Sequence, residues 1–272
     1  MAAIPLTGRG TGGEYRRPVP VPPSLDPLVA HPDQAGVVTD FDGTLAPIVL
    51  DPSAAQPLAD APAILGLLGA RYARVAVVSG RPAAFLLDRL GPLEGVRLVG
   101  LYGLEWAEGT TVVEHPDAGS WRDTVAGAVA AAQREAPAGV TVEPKGLSVT
   151  LHVREVPTQG DWALQWAKLE SERSGLAIHP ARKSVELRPP VPIDKGSVVE
   201  EVLEGLHAGC FVGDDLGDLP AFDALDRLES RGLVGVRVAV RSAEAPAELL
   251  RRADVTLEGP EGAVALLRDL AG

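Results

Sequence analysis

A chain of 272 residues suffices for one large or two modest domains, and its 46% hydrophobic and 23% charged content excludes disorder for the bulk of it. The formal net charge of −12 disfavours nucleic-acid and anionic-membrane partners, so an anionic substrate would have to be drawn by local cations instead. The single cysteine, Cys210, excludes a disulfide framework or a multi-thiolate zinc site, and its setting in Cys210-Phe211-Val212 reads as packing.

Residues 1–30 combine Gly8, Gly10, Gly12 and Gly13 with Pro18, Pro20, Pro22, Pro23 and Pro27, a composition expected to give a mobile tail. The first strand signal is Val37-Val38-Thr39-Asp40-Phe41-Asp42-Gly43-Thr44-Leu45. Strand periodicity would place Asp40 and Asp42 on one face and turn Phe41 inward. Two like charges side by side call for a bound cation or a retained proton; the alternative is a strand followed by an Asp-Gly turn. An incomplete helical repeat over 57–72 leads to a buried strand over 75–78. Ser79-Gly80-Arg81-Pro82 then opens a helix carrying Phe85, Leu86, Leu87 and Leu90. Ser79 there is either a helix cap or, with the free N–H groups, part of an anion site. A third strand over 96–106 completes a β-α-β-α-β run, the signature of a parallel sheet.

From 111 to 190 the order becomes αββαββ, with hairpin-like spacings, which predicts a separate antiparallel sheet faced by two helices. Alternation puts Ser148, Thr150, His152 and Arg154 on one face, read as a solvent face. Glu143, Lys145 and Glu186 fall at or near strand ends. Pro189-Pro190-Val191-Pro192 stiffens the chain into a hinge, after which Lys195 sits at a helix start where the macrodipole opposes it. Lys195 is therefore either a surface lysine or one with an anion in reach. A second apolar strand, Cys210-Phe211-Val212-Gly213, ends in Asp214, Asp215 and Asp218, a cluster suited to a hard divalent cation. Further βα units close the chain. The expected division is a core of 31–110 and 191–272, a cap of 111–190 and the tail of 1–30.

Taken in order, Asp40 to Leu45, Ser79-Gly80-Arg81, Glu143 to Lys145, His152 to Arg154, Glu186 to Pro189, Lys195-Gly196 and Gly213-Asp214-Asp215 resemble the trehalose-6-phosphate phosphatase family of the haloacid-dehalogenase-like superfamily. The resemblance covers nearly all the chain after the tail. It implies an α/β fold, a HAD-like Rossmannoid parallel-sheet core with an inserted α+β cap. It also implies Mg2+-dependent hydrolysis of trehalose 6-phosphate to trehalose and phosphate through an aspartyl-phosphate. By that resemblance Asp40 is the nucleophile and Asp42 the acid and base. Thr44, Ser79, Gly80 and Lys195 bind phosphate, and Arg81, Glu143, Lys145, Arg154 and Glu186 bind the sugar. The metal falls to Asp40, Asp42, Asp214 and Asp218, with Asp42 acting through its main-chain carbonyl.

Glucosyl- or mannosyl-3-phosphoglycerate is the alternative substrate, and a non-catalytic sugar-phosphate sensor, a phosphomutase and a signalling receiver are the rival functions. A receiver is disfavoured because its acids would not fall after Lys195. Two positions depart from the family: Tyr102-Gly103-Leu104-Glu105 stands where His-Gly-x-Glu is frequent, and Leu216-Gly217-Asp218-Leu219-Pro220 replaces an acidic run. No apolar run nears membrane-spanning length and no signal-peptide core opens the chain, so a monomeric cytoplasmic protein with a small-molecule partner is expected. The whole reading requires Asp214 to come within about 10 Å of Asp40, since both must reach one ion.

Overall fold

The structure, a computed structural model, describes residues 21–49, 51–181, 183–243 and 245–272. A short helix α1 (Asp26–Ala30) precedes β1 (Ala35–Thr39), followed by α2 (Ala61–Arg71), β2 (Arg74–Val78), α3 (Ala83–Leu90) and β3 (Val96–Gly100). A hairpin of β4 (Glu105–Glu108) and β5 (Thr111–Glu114) comes next. The inserted segment runs α4 (Arg122–Glu135), β6 (Thr141–Pro144), β7 (Val149–His152), α5 (Gly160–Ser174), β8 (Ala177–Ala181) and β9 (Ser184–Arg188). The chain then returns through α6 (Lys195–Leu203), β10 (Ala208–Gly213), α7 (Leu219–Glu229), β11 (Val234–Arg241), α8 (Ala247–Arg252), β12 (Val255–Glu258) and α9 (Gly259–Ala271).

The larger sheet has the order β12-β11-β10-β1-β2-β3-β4-β5, parallel from β12 to β3 and antiparallel in the added hairpin. Chain order proceeds outward from β1 in both directions, so β1 lies at the switch point where such sheets place ligands beyond their strand ends. Its strands are near-continuously apolar because both faces are covered. Val37, Val75, Val77 and Cys210 pack towards α2 and α9, while Val38, Ala76 and Phe211 pack towards α6 and α7. Burying a side chain such as Phe41 or Phe222, both fully enclosed, contributes about 1.5–3 kcal/mol. Cys210 is buried as expected, and burial pushes its thiol up to about 12.

The smaller sheet is antiparallel with order β6-β7-β9-β8. One face, with Val149, Leu151, Val185 and Leu187, packs on Val125, Ala128, Ala132, Ala163 and Ala167 of α4 and α5. No described helix is long and apolar enough to cross a membrane.

Four local expectations change. The first twenty residues of the expected tail lie outside the described residues, but its last ten are folded: Pro23–Leu25 and Asp26–Ala30 are helical, and Leu25 and Leu28 are buried in the main core. Proline is tolerated there because it occupies first-turn positions. The single strand expected over 96–106 is broken by a left-handed turn, with φ of 48° at Leu101, 61° at Tyr102 and 111° at Gly103. That turn reverses the chain into β4. Strand β5, placed by sequence in the insert, pairs with β4 in the larger sheet. The face of β7 read as solvent-facing is covered: Ser148 and Thr150 are buried.

Candidate active site

Every chemical group expected from the larger domain comes from the carboxyl end of a parallel strand or the start of α6. β1 ends at Thr39, and Asp40 is held by its N–H donating to the Val212 carbonyl of the neighbouring β10 (2.8 Å). β2 delivers Ser79, whose N–H donates to Val99 O (2.9 Å). β10 delivers Asp214. α6 begins with a capping box in which Asp194 accepts from Ser197 N and the Ser197 hydroxyl returns to Asp194, which fixes the helix start and points Lys195 into the site.

Asp40, Asp214 and Asp218 are all buried, and each offers a carboxylate oxygen within 4.8 Å of the others. The convergence needed between the first and the much later strand is therefore present. Lys195, equally buried, lies 3.0 Å from Asp40 and 2.5 Å from Asp218. The lysine that the macrodipole opposes thus has its anions. Gly43 brings the loops together: at φ 72° its α-carbon lies so close that an added Cβ would sit 2.1 Å from Asp214 Oδ2.

Burial pushes Asp40 well above the ordinary carboxylate range; Lys195 opposes this, and Asp218, Asp215 and Asp42 add to it. Burial, with repulsion from Asp40, Asp218 and Asp215, pushes Asp214 up to about 9. Burial alone would depress Lys195, but Asp218, Asp40 and Asp215 outweigh it and hold the ammonium well above its usual value. Four aspartates thus face one lysine, a donor set of hard oxygens with excess negative charge that fits a small divalent cation. Thr44 Oγ1, on the residue after Gly43, is buried and has no hydrogen-bond partner among the described residues.

Two of the expected metal residues have other side-chain partners as well. Asp42 lies outside the group of three. Beyond Thr39 the chain turns, with Leu45 N and Ala46 N both donating to Phe41 O, so the two-residue strand periodicity no longer applies. Phe41 turns inward as expected, but the Asp42 carboxylate accepts both Arg81 Nε and Nη2 at 2.8 Å. Asp218 joins the group, yet its Oδ1 accepts from Lys195 and its Oδ2 from the Asp214 and Asp215 N–H groups (2.8 and 3.0 Å). With three donors on it, Asp218 also sets the positions of Lys195 and Asp214.

The polar face of the smaller sheet closes the other side. Register aligns Glu143 with Thr150, and Thr150 with Glu186. Lys145 Nζ sits 3.7 Å from both Glu143 and Glu186 and 3.4 Å from the Gly80 carbonyl, directly beside Ser79. Glu143 is 3.9 Å from Arg81, the residue that grips Asp42. Burial would raise Glu143, but the His152 hydrogen bond, Lys145 and Arg81 hold it below its ordinary value. Ser148 Oγ donates to Glu186 at 2.6 Å, and Thr150 Oγ1, on the strand position between the two carboxylates, is buried and has no hydrogen-bond partner among the described residues. Arg154 stands two residues past the end of β7, away from the Ser148 end that abuts Lys145.

Sequence reasoning missed Ser148, Thr150 and the supporting role of His152, although their every-second-residue spacing was the available signal. It also missed Glu105, whose carboxylate accepts from Ala83 N at 2.5 Å and so anchors the start of α3 behind Ser79-Gly80-Arg81.

Residues 38–255 match the family model for trehalose-phosphatase. Curated relatives include the trehalose-phosphate phosphatases of Mycolicibacterium paratuberculosis (36% identical, covering 72% of this chain and 51% of the relative) and of Mycobacterium marinum (34% identical, covering 76% and 54%). The chain thus spans about half the length of these relatives. Among solved structures, the C-terminal domain of the C. albicans trehalose-6-phosphate phosphatase superposes with a TM-score of 0.73 at 25% identity, covering 95% of this chain and 98% of that one.

Proposed function

Because the chain belongs to the trehalose-phosphatase family, we propose that it hydrolyses trehalose 6-phosphate to trehalose and phosphate with a divalent cation, Mg2+, as cofactor. The observation that carries this is the buried meeting of Asp40, Asp214 and Asp218 with Lys195, facing a polar sheet of hydroxyl-binding residues. An Asp40 oxygen attacks phosphorus in line, the bond from phosphorus to the sugar oxygen breaks, and Asp42 gives that oxygen its proton. Water then attacks phosphorus of the aspartyl-phosphate while Asp42 takes its proton, the bond from phosphorus to the Asp40 oxygen breaks, and the Asp40 carboxylate is regenerated as inorganic phosphate leaves. Asp40, Asp214 and the Asp42 carbonyl would hold the cation, which when bound offsets the charge between carboxylate and phosphoryl group. Lys195, Ser79, the Gly80 N–H and the orphan Thr44 hydroxyl hold the phosphoryl oxygens. Glu143, Lys145 and Glu186 take the sugar hydroxyls. Arg81 exchanges Asp42 for the substrate, which frees the acid where it is needed. The insert acts as a cap whose closure excludes bulk water.

The test is phosphate release across a panel of sugar phosphates with and without Mg2+. Trehalose 6-phosphate should be hydrolysed preferentially and only with the metal. A preference for glucosyl- or mannosyl-3-phosphoglycerate would overturn the substrate, and no release from any ester would overturn the catalytic reading.

A second expectation concerns stability. The Asp214 carboxyl is raised from 3.8 to about 9 in the folded chain. The stability this proton contributes is fully present below the ordinary value and lost as pH rises towards the folded value. A cation replaces that proton. Mg2+ should therefore raise the melting temperature more at about pH 8 than at about pH 5.5, where protons compete for the carboxylates. Equal increments at both pH values in a thermal-shift series would count against carboxylate ligation.

A further inference from the structure

The turn between β3 and β4 puts Leu101 and Tyr102 in the left-handed region, the described residues other than glycine with positive φ. Such backbone persists only where its surroundings over-determine it. Here Leu101 N donates to Arg81 O and Tyr102 N donates to Ser79 O, both at 2.9 Å, so the turn is stitched to the loop that carries Ser79 and Gly80.

The Arg188 guanidinium from the end of β9 lies 4.9 Å from the centroid of the half-buried Tyr102 ring. No described residue hydrogen-bonds the hydroxyl. Packing alone would be served as well by phenylalanine. The hydroxyl lies over Gly80 so closely that a Cβ there would be 2.4 Å from it, which leaves glycine as the residue that fits at position 80. Gly80 in turn separates Ser79 from the Lys145 ammonium, and Glu186 is among the charges that act on the phenol. The hydroxyl therefore stands at the seam between the phosphate end of the site and the carboxylates of the smaller sheet.

We propose that Tyr102 is a substrate-positioning residue whose hydroxyl hydrogen-bonds the sugar ring that bears the phosphate. The proposal rests on the sugar-phosphatase reading above and deepens it. A phosphate ester too small to reach past Gly80 would not make the bond.

The experiment compares wild type with Tyr102→Phe, which keeps the ring and its Arg188 contact, on trehalose 6-phosphate and on phenyl phosphate. Loss of one neutral hydrogen bond should raise KM for the sugar ester about tenfold, leave its kcat within about twofold, and leave both constants for phenyl phosphate unchanged. An unaltered melting temperature excludes a folding effect. Unchanged kinetics on both esters, or an equal loss on both, would overturn the assignment. If the wild type prefers another sugar phosphate, the substrate reading fails and Tyr102 is judged by the same comparison on that ester. If the wild type turns over phenyl phosphate and no sugar phosphate, both fail together.

Discussion

Asp40→Asn should reduce phosphate release by at least about a thousandfold, because the amide cannot form the acyl-phosphate that splits the displacement into two steps. The fold should survive. Asp40 is buried against Asp214 and Asp218, and its removal relieves repulsion while Lys195 keeps Asp218 as partner. Thermal denaturation should show a melting temperature equal to or above that of wild type. Asp42→Asn makes the useful contrast: it keeps the nucleophile but slows both protonation of the leaving sugar and water's entry, so that with phenyl phosphate, whose leaving group needs little help from an acid, intact-protein mass spectrometry should detect a phosphorylated chain that the Asp40 variant never shows. Parental turnover in Asp40→Asn would sink the nucleophile assignment.

The largest structural effect is expected at Lys195. Lys195→Met leaves Asp40 and Asp218 without their shared ammonium in a site from which water is nearly excluded. Removing one partner of a buried ion pair costs about 3–5 kcal/mol, to be read from urea denaturation. The sign of the pH dependence identifies the cause. The orphaned carboxylates can escape the penalty by taking protons, so the variant's deficit should shrink as pH falls from about 8 to about 5. Phosphate release should drop by about a hundredfold or more, since a preorganised donor to the phosphoryl oxygens is gone. A loss below about 0.5 kcal/mol, the range of surface substitutions, would show that Lys195 is not the charge that holds the acidic cluster together.

Most of the groups that meet in the site were recognisable in the chain because each follows a short apolar run or opens a helix. Asp40, Ser79 and Asp214 need only the rule that parallel strands end on one edge of a sheet. Lys195 betrayed itself by sitting against the macrodipole. The readings that changed depended on backbone events lasting a few residues. Asp42 left the face of Asp40 because the strand stops at Thr39. Residues 96–106 became two strands because Leu101, Tyr102 and Gly103 go left-handed together. Ser148 and Thr150 looked solvated because alternation tells only that two faces differ, not what covers the polar one.

Local patterning by itself thus determined the α/β class, the inserted antiparallel unit and the acidic and basic residues available for phosphate chemistry, since hydrophobic period and strand-end chemistry are properties of neighbours along the chain. Only the tertiary structure decided which of those charges meet. It gave Asp42 to Arg81, gave Asp218 to Lys195 and two main-chain N–H groups, and turned the hydroxyls of β7 inward. Charge pairing and burial depend on distances between segments far apart in sequence, and those distances exist only once those segments have come together in one fold.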